Sequence, residues 1–132
     1  MRTLTLVAIL ALSAGPTSSQ SQDILIMGGS SQDVFLGCLS CNEYSSNSVW
    51  NQYGRYGWQN KYGIWNRFGQ HANPYALHSA CNQHSRSGPA LVDRDGNFYG
   101  RLSVNQYQAD GVCGARGVPQ VCTALRVMCA DT

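Results

Sequence analysis

Six cysteines, at Cys38, Cys41, Cys81, Cys113, Cys122 and Cys129, are spread over a chain of 132 residues that has few other means of holding itself together. From Ser21 onward, Leu, Ile, Val and Phe make up only 21 of 112 residues, close to the composition at which chains stay disordered. Disorder also requires high net charge and few aromatics, whereas this chain carries a formal charge of +2 with seven Tyr, three Trp and three Phe. Cross-links resolve the conflict. An even cysteine count in an exported chain predicts disulfides, with all fifteen pairings open at the level of sequence. Each bridge contributes roughly 2–4 kcal/mol by restricting the unfolded chain, so three rival the stability of a whole domain.

The N-terminus fits that setting. Arg2 precedes an apolar run, Leu4 to Leu12, with small residues crowding Ser13 to Ser19. One positive charge before a short apolar core is the layout of a secretory signal peptide. Nine residues rise about 14 Å as a helix, short of the roughly 30 Å of hydrocarbon, so the run is not expected to remain as a membrane span. The expected organisation is a signal peptide over 1–20 and one exported domain over 21–132, secreted or periplasmic. Eight basic against seven acidic residues then remain, with no basic cluster, which argues against a nucleic-acid partner.

Two segments of that domain align at a constant offset of 63: "VFLGCLSCNEY" from Val34 and "NFYGRLSVNQY" from Asn97, sharing six of eleven positions. The same local structure is therefore expected twice. In the second copy, strand-forming Ala90 to Val92, the turn pair Asp95-Gly96 and a returning strand from Asn97 predict a hairpin over 90–107. The first copy, over 24–44, has Ile24 to Met27 as its outgoing strand. Two such hairpins are expected to unite as a small antiparallel sheet. The stretch Asp93 to Asn97 also carries the alternating acids of a calcium loop, but that register puts Leu91 and Leu102 where carboxylates belong, so a turn is expected.

Between the hairpins, over 42–85, the chain repeats Asn-x-aromatic-Gly/Ser, as at Asn51-Gln-Tyr53-Gly54 and Asn66-Arg-Phe68-Gly69. Larger phrases, "VWNQYG", "IWNRFG" and "ACNQHS", start at Val49, Ile64 and Ala80. An Asn side chain accepts from the backbone N–H two residues on, so each unit is predicted to be a tight turn. We expect the rings to point inward and form the core, with the turns stacked on their neighbours. The competing expectation is a binding surface of Trp50, Tyr53, Tyr56, Trp58, Tyr62 and Trp65, facing envelope glycan or another exported protein.

The phrases "FLGCLSCNEYSSNSVWNQYGRYG", "ANPYALHSACN" and "VDRDGNFYGRLSVNQY" resemble a group of uncharacterised, mostly exported bacterial proteins built on N-x-Y-G repeats followed by a D-x-D-G-N hairpin. The resemblance covers roughly Val34 to Tyr107. It implies a bacterial exported protein and assigns no activity, ligand or catalytic residue.

Candidate chemistry is sparse. His78, Cys81 and His84 have ligand character for zinc, but spending Cys81 on metal would leave an odd number of cysteines. Cys38-Leu39-Ser40-Cys41 has dithiol-oxidoreductase spacing, yet it follows a strand and lacks the helix N-terminus that activates such thiols. Hydrolysis of glycans wants paired carboxylates, and Glu43, Asp33, Asp93, Asp95 and Asp110 form no pair along the chain. The C-terminal segment 113–132 reads as a short helix after Pro119, with Val121, Cys122, Leu125, Met128 and Cys129 on one face. The expectation is therefore a small, disulfide-stabilised, mainly β and turn-rich domain with a short C-terminal helix. Its expected role is non-catalytic, structural or binding, without metal or cofactor; the alternative is a secreted hydrolase or thiol-redox enzyme.

Overall fold

The computed structural model describes residues 22–57 and 63–130. The expected signal peptide over 1–20 lies outside them, as do Trp58 and Tyr62. Strands β1 (Leu25–Gly28), β2 (Val34–Cys38), β3 (Ala90–Val92) and β4 (Phe98–Arg101) form one antiparallel sheet in the order β2-β1-β3-β4, and helix α1 spans Pro119–Ala130. The domain is thus small and mainly β, with one short C-terminal helix. Three disulfides close it: Cys38–Cys41, Cys81–Cys129 and Cys113–Cys122.

The duplicated segments are the two hairpins, and an approximate two-fold relates them. Ile26 pairs with Leu91 at the centre of the sheet, Leu25 with Val92 and Met27 with Ala90. Outward, Ile26 faces Gly37 and Leu91 faces Gly100, each beside a bulge. Both glycines lie at positive φ, 120° and 121°, and each has neighbours where a side chain would go. A Cβ would come within 2.7 Å of Val49 at Gly37 and within 2.7 Å of the Asp110 carbonyl at Gly100. Only glycine meets both demands without a shift.

The correspondence runs past the strands. Cys38 N–H donates to Asn47 O at 2.7 Å and Arg101 N–H to Asp110 O at 2.8 Å; Val49 N–H donates to Cys38 O and Val112 N–H to Arg101 O. Gly111 to Gly117 therefore continues the second copy, with Cys113 standing where the first copy has Trp50. From there the chain enters α1, which buries Leu125 and Cys122.

The repeat units among the described residues are tight turns, as the asparagines predict; the unit that starts at Asn60 lies outside them. Backbone N–H groups of Tyr44, Tyr53, Phe68, Tyr75, His84 and Tyr107 donate to the Oδ1 of the Asn two residues before, at 2.9–3.1 Å. The turns also stack: Asn51, Asn82 and Asn105 each use the amide NH₂ to donate to a carbonyl of the preceding turn, at Ser45, Ala76 and Ser85.

Ring orientation corrects the sequence expectation. Tyr44, Tyr53, Phe68, Tyr75 and Tyr107 are 81–91% exposed, so they form no core. The inward place is two residues before the Asn, where Val49, Ile64, His71, Ala80 and Ser103 are buried; only Ser40, before Asn42 in the C-x-x-C segment, is exposed among the described units. A turn closed on the Asn side chain turns the next-but-one residue away from the stack and leaves the incoming residue to face it.

Candidate dithiol–disulfide site

Cys38 ends β2 and Cys41 follows three residues later, so the C-x-x-C segment is a loop leaving the sheet edge. The two cysteines are bonded to each other. The loop between them is also held by hydrogen bonds from backbone and side chains. Leu39 N–H donates to Ile24 O at 2.8 Å, and Ser40 Oγ accepts the Ile24 N–H at 2.8 Å. The Trp50 indole N–H donates to Leu39 O at 2.7 Å, and Ser48 Oγ donates to Cys41 O at 3.1 Å. None of these bonds involves sulfur.

The second copy supplies an internal control. Arg101-Leu102-Ser103-Val104 contains no cysteine and repeats the bonds of the first two residues, with Leu102 N–H donating to Pro89 O at 2.8 Å, then diverges: Val104 N–H donates to Ala80 O, and Ser103 is buried where Ser40 is exposed. The Cys38–Cys41 bond is therefore not needed to close the end of the hairpin, which Arg101 and Leu102 close without sulfur. It also closes the shortest ring of the three. In the chain-entropy account a separation of 3 is worth about 2 kcal/mol, against about 4 kcal/mol for the separation of 48 between Cys81 and Cys129.

These observations correct the sequence expectation of a non-catalytic structural or binding protein. That expectation counted all six cysteines as staples and set redox chemistry aside for want of a helix N-terminus. Cys81, Cys113, Cys122 and Cys129 instead satisfy one another around α1, and the C-x-x-C pair forms its own bond, the arrangement of a thiol–disulfide redox couple.

Accessibility is unequal. Cys38 is fully buried and Cys41 half-buried, so an incoming sulfur reaches Cys41. Ser40 Oγ lies 3.8 Å from Cys38 Sγ. Because that oxygen already accepts from Ile24, its own hydrogen is available to point at the sulfur. A carboxylate oxygen of Asp23 lies within 4.8 Å of both sulfurs. Asp23 is also ion-paired with Arg94 at 3.2 Å. Beside the loop an apolar cavity of about 390 Å³ is lined by Ile24, Leu39, Ser40, Trp50, Trp65 and Leu125, among others.

The other sequence candidates are dispersed. Trp65 is buried, with its indole N–H donating to Val49 O at 3.0 Å and its ring 5.5 Å from that of Trp50. Tyr56 packs edge-on against Phe35, while Tyr53 stands exposed by a cleft it shares with Tyr44 and Gln52. Cys81 is spent on Cys129, which removes it from His78 and His84. Asp93 shapes the β3–β4 turn: it accepts from the Asp95 and Asn97 N–H groups, the Asn97 amide and the Tyr99 hydroxyl. Burial works against its charge, but the bonds from Asn97, Tyr99 and Asp95 overcome that and hold its carboxyl at about 2.

Sequence reasoning missed Asp23 and Ser40. Ser40 sits inside the motif and carried a signal, since a hydroxyl between two cysteines is placed to donate to one of them. Asp23 carried none, because its approach depends on how β1 docks against the loop. Comparison of the chain with known protein families, with curated proteins and with solved structures finds no match. Among the described residues no helix is long and apolar enough to cross a membrane.

Proposed function

We propose that this domain is a thiol–disulfide exchange protein whose redox centre is Cys38–Cys41. The observation that carries the reading is the bond within the C-x-x-C motif itself, at a separation of 3, while the other four cysteines pair with one another around α1.

The chemistry follows from the unequal burial. A substrate thiolate attacks Cys41 Sγ, a mixed disulfide forms there, and the Cys38–Cys41 bond breaks with its electron pair going to Cys38 Sγ. The Ser40 hydroxyl donates to that departing thiolate. A second substrate thiolate then attacks the substrate sulfur of the mixed disulfide and expels Cys41 as a thiolate. The substrate dithiol has lost two electrons and two protons, and the site has gained them. Asp23, beside both sulfurs, is placed to pass protons between them and solvent.

The apolar run Leu4 to Leu12 supports an exported setting, secreted or periplasmic, where partner thiols are being oxidised. Exported cysteine-bearing proteins are the substrate class. The exposed rings of Tyr44, Tyr53, Phe68, Tyr75 and Tyr107 are of the kind that lie against envelope glycan or a partner protein and would keep the domain near its substrates.

The test is a redox titration of the folded protein against glutathione, with peptide mapping of each bridge. Cys38–Cys41 opens first, at a higher potential than Cys81–Cys129 and Cys113–Cys122, and the protein speeds disulfide formation in a reduced substrate. If Cys38–Cys41 resists reduction as stubbornly as the other two, the reading falls.

A further inference from the structure

Resting on that redox reading, we infer that the opened form of the site binds a thiophilic divalent cation of the zinc type through Cys38 Sγ, Cys41 Sγ and a carboxylate oxygen of Asp23. The three side chains offer ligand atoms all within 4.8 Å of one another, and among the described residues no other group of three His, Cys, Asp or Glu side chains meets that closeness. The spacing of two residues between cysteines is the one with which zinc sites chelate, and a site with three protein ligands keeps a fourth position for water.

The carboxylate is brought there by the fold. Ile24 makes two bonds to the loop, donating to Ser40 Oγ and accepting from Leu39 N–H, so the residue before it is fixed against the motif. Opening the disulfide leaves those bonds in place. The two sulfurs then need only side-chain rotation to move from bonding distance to the separation of neighbouring ligands on one ion.

Charge argues the same way. Two thiolates and a carboxylate in one half-buried place repel one another, and Arg94, paired with Asp23 at 3.2 Å, offsets one of the three. A divalent cation offsets the remaining two. Its binding therefore drives off the thiol protons.

The consequence for the redox cycle is reciprocal. A bound cation ties up both thiolates and protects the reduced site. An incoming organic disulfide that does react takes two electrons from the thiolates, leaves as two thiolates, restores Cys38–Cys41 and releases the cation. Atoms and charge balance without a further reactant.

The test uses the whole exported chain, reduced under oxygen-free conditions with a phosphine that is then removed, counted for free thiols and titrated with Co²⁺. One equivalent gives a thiolate-to-cobalt charge-transfer band that Zn²⁺ abolishes. The oxidised protein and Cys41→Ser give none. Asp23→Asn weakens binding by about tenfold, and Arg94→Ala, which frees the carboxylate, tightens it. Persistence of Cys81–Cys129 and Cys113–Cys122 in each variant reports a folded chain.

If two thiols appear in the folded protein and no band forms, or if Asp23→Asn and Arg94→Ala both leave the affinity unchanged, the cation site is wrong and the redox reading stands. If no thiols can be freed without losing the fold, both fall together.

Discussion

Arg101 occupies in the second hairpin the place that Cys38 occupies in the first: the backbone N–H of each donates to the residue nine positions on, Asp110 or Asn47, and the carbonyl of each accepts from a buried valine. One copy has a cross-link at this place and the other an arginine, whose guanidinium donates to Gly88 O at 2.9 Å. Sulfur chemistry at this corner is an addition to the hairpin, not a condition of it.

Removing the bond should therefore be mild. The double variant Cys38→Ala, Cys41→Ala is expected to lose about 2 kcal/mol or less, while Cys81→Ala, Cys129→Ala loses about 4 kcal/mol. Urea denaturation of the two variants beside the parent measures the difference. Equal losses would mean that both bridges are staples.

Ser40→Ala deletes the hydroxyl 3.8 Å from Cys38 Sγ and the acceptor for Ile24 N–H. The expected outcome is an opening of Cys38–Cys41 by dithiol that is about threefold to tenfold slower, with the other two bridges unaffected. Stopped-flow thiol release followed by alkylation and mapping reads it. Ser40→Thr keeps a hydroxyl and should recover most of the rate.

The asparagines and the rings of the repeat should separate cleanly. Asn105→Ala removes an Oδ1 that closes one turn and an amide that grips Ser85 O, both in buried surroundings, and should cost about 1–3 kcal/mol. Tyr44→Ser, Tyr53→Ser and Tyr75→Ser touch exposed rings and should each change stability by about 0.5 kcal/mol or less. Thermal melts of single variants check both. Retention on envelope glycan or on exported partner proteins is the measurement in which the ring variants should differ.

Acid should weaken the fold before its carboxylates are reached. His71 is buried, and desolvation, with a smaller contribution from the nearby charge of His78, lowers its pKa below 6.5. Its Nδ1 has no hydrogen-bond partner among the described residues. The folded state thus favours the neutral ring while the unfolded chain protonates near its ordinary value. Stability is complete above about pH 6.5 and declines as pH falls below it. Asp93, held at about 2 against an ordinary 3.8, adds a second loss only below about pH 4. Urea midpoints across that range should show two separate declines, and His71→Leu should remove the first.

Much of this architecture is legible from spacing. The offset of 63 gives the paired hairpins, Pro119 and the spacing from Val121 to Cys129 give α1, and Asn-x-aromatic gives the turns. The direction of the rings is not legible from those features. An Asx turn fixes the backbone, and which residue faces the stack is decided by how the turns pile up. A usable signal was present in Val49, Ile64 and Ala80, the apolar residues that open the three larger phrases and prove to be the buried ones. The redox pair was visible as C-x-x-C but undervalued, because thiol activation was sought in a helix N-terminus and not in a hydroxyl within the loop. Asp23 needed the docking of Ile24 against Ser40, a contact across 16 positions that local pattern does not encode.

Helix α1 is riveted near its start by Cys113–Cys122 and near its end by Cys81–Cys129, and Leu125 lies buried between the two rivets. Harsh reductant would cut both fastenings, leaving twelve residues to cling through Leu125 and the partly buried Val121 and Met128. The furrow beside Leu39, Trp50 and Trp65 would then lie bare, and unpeeled chains would be prone to glue themselves together.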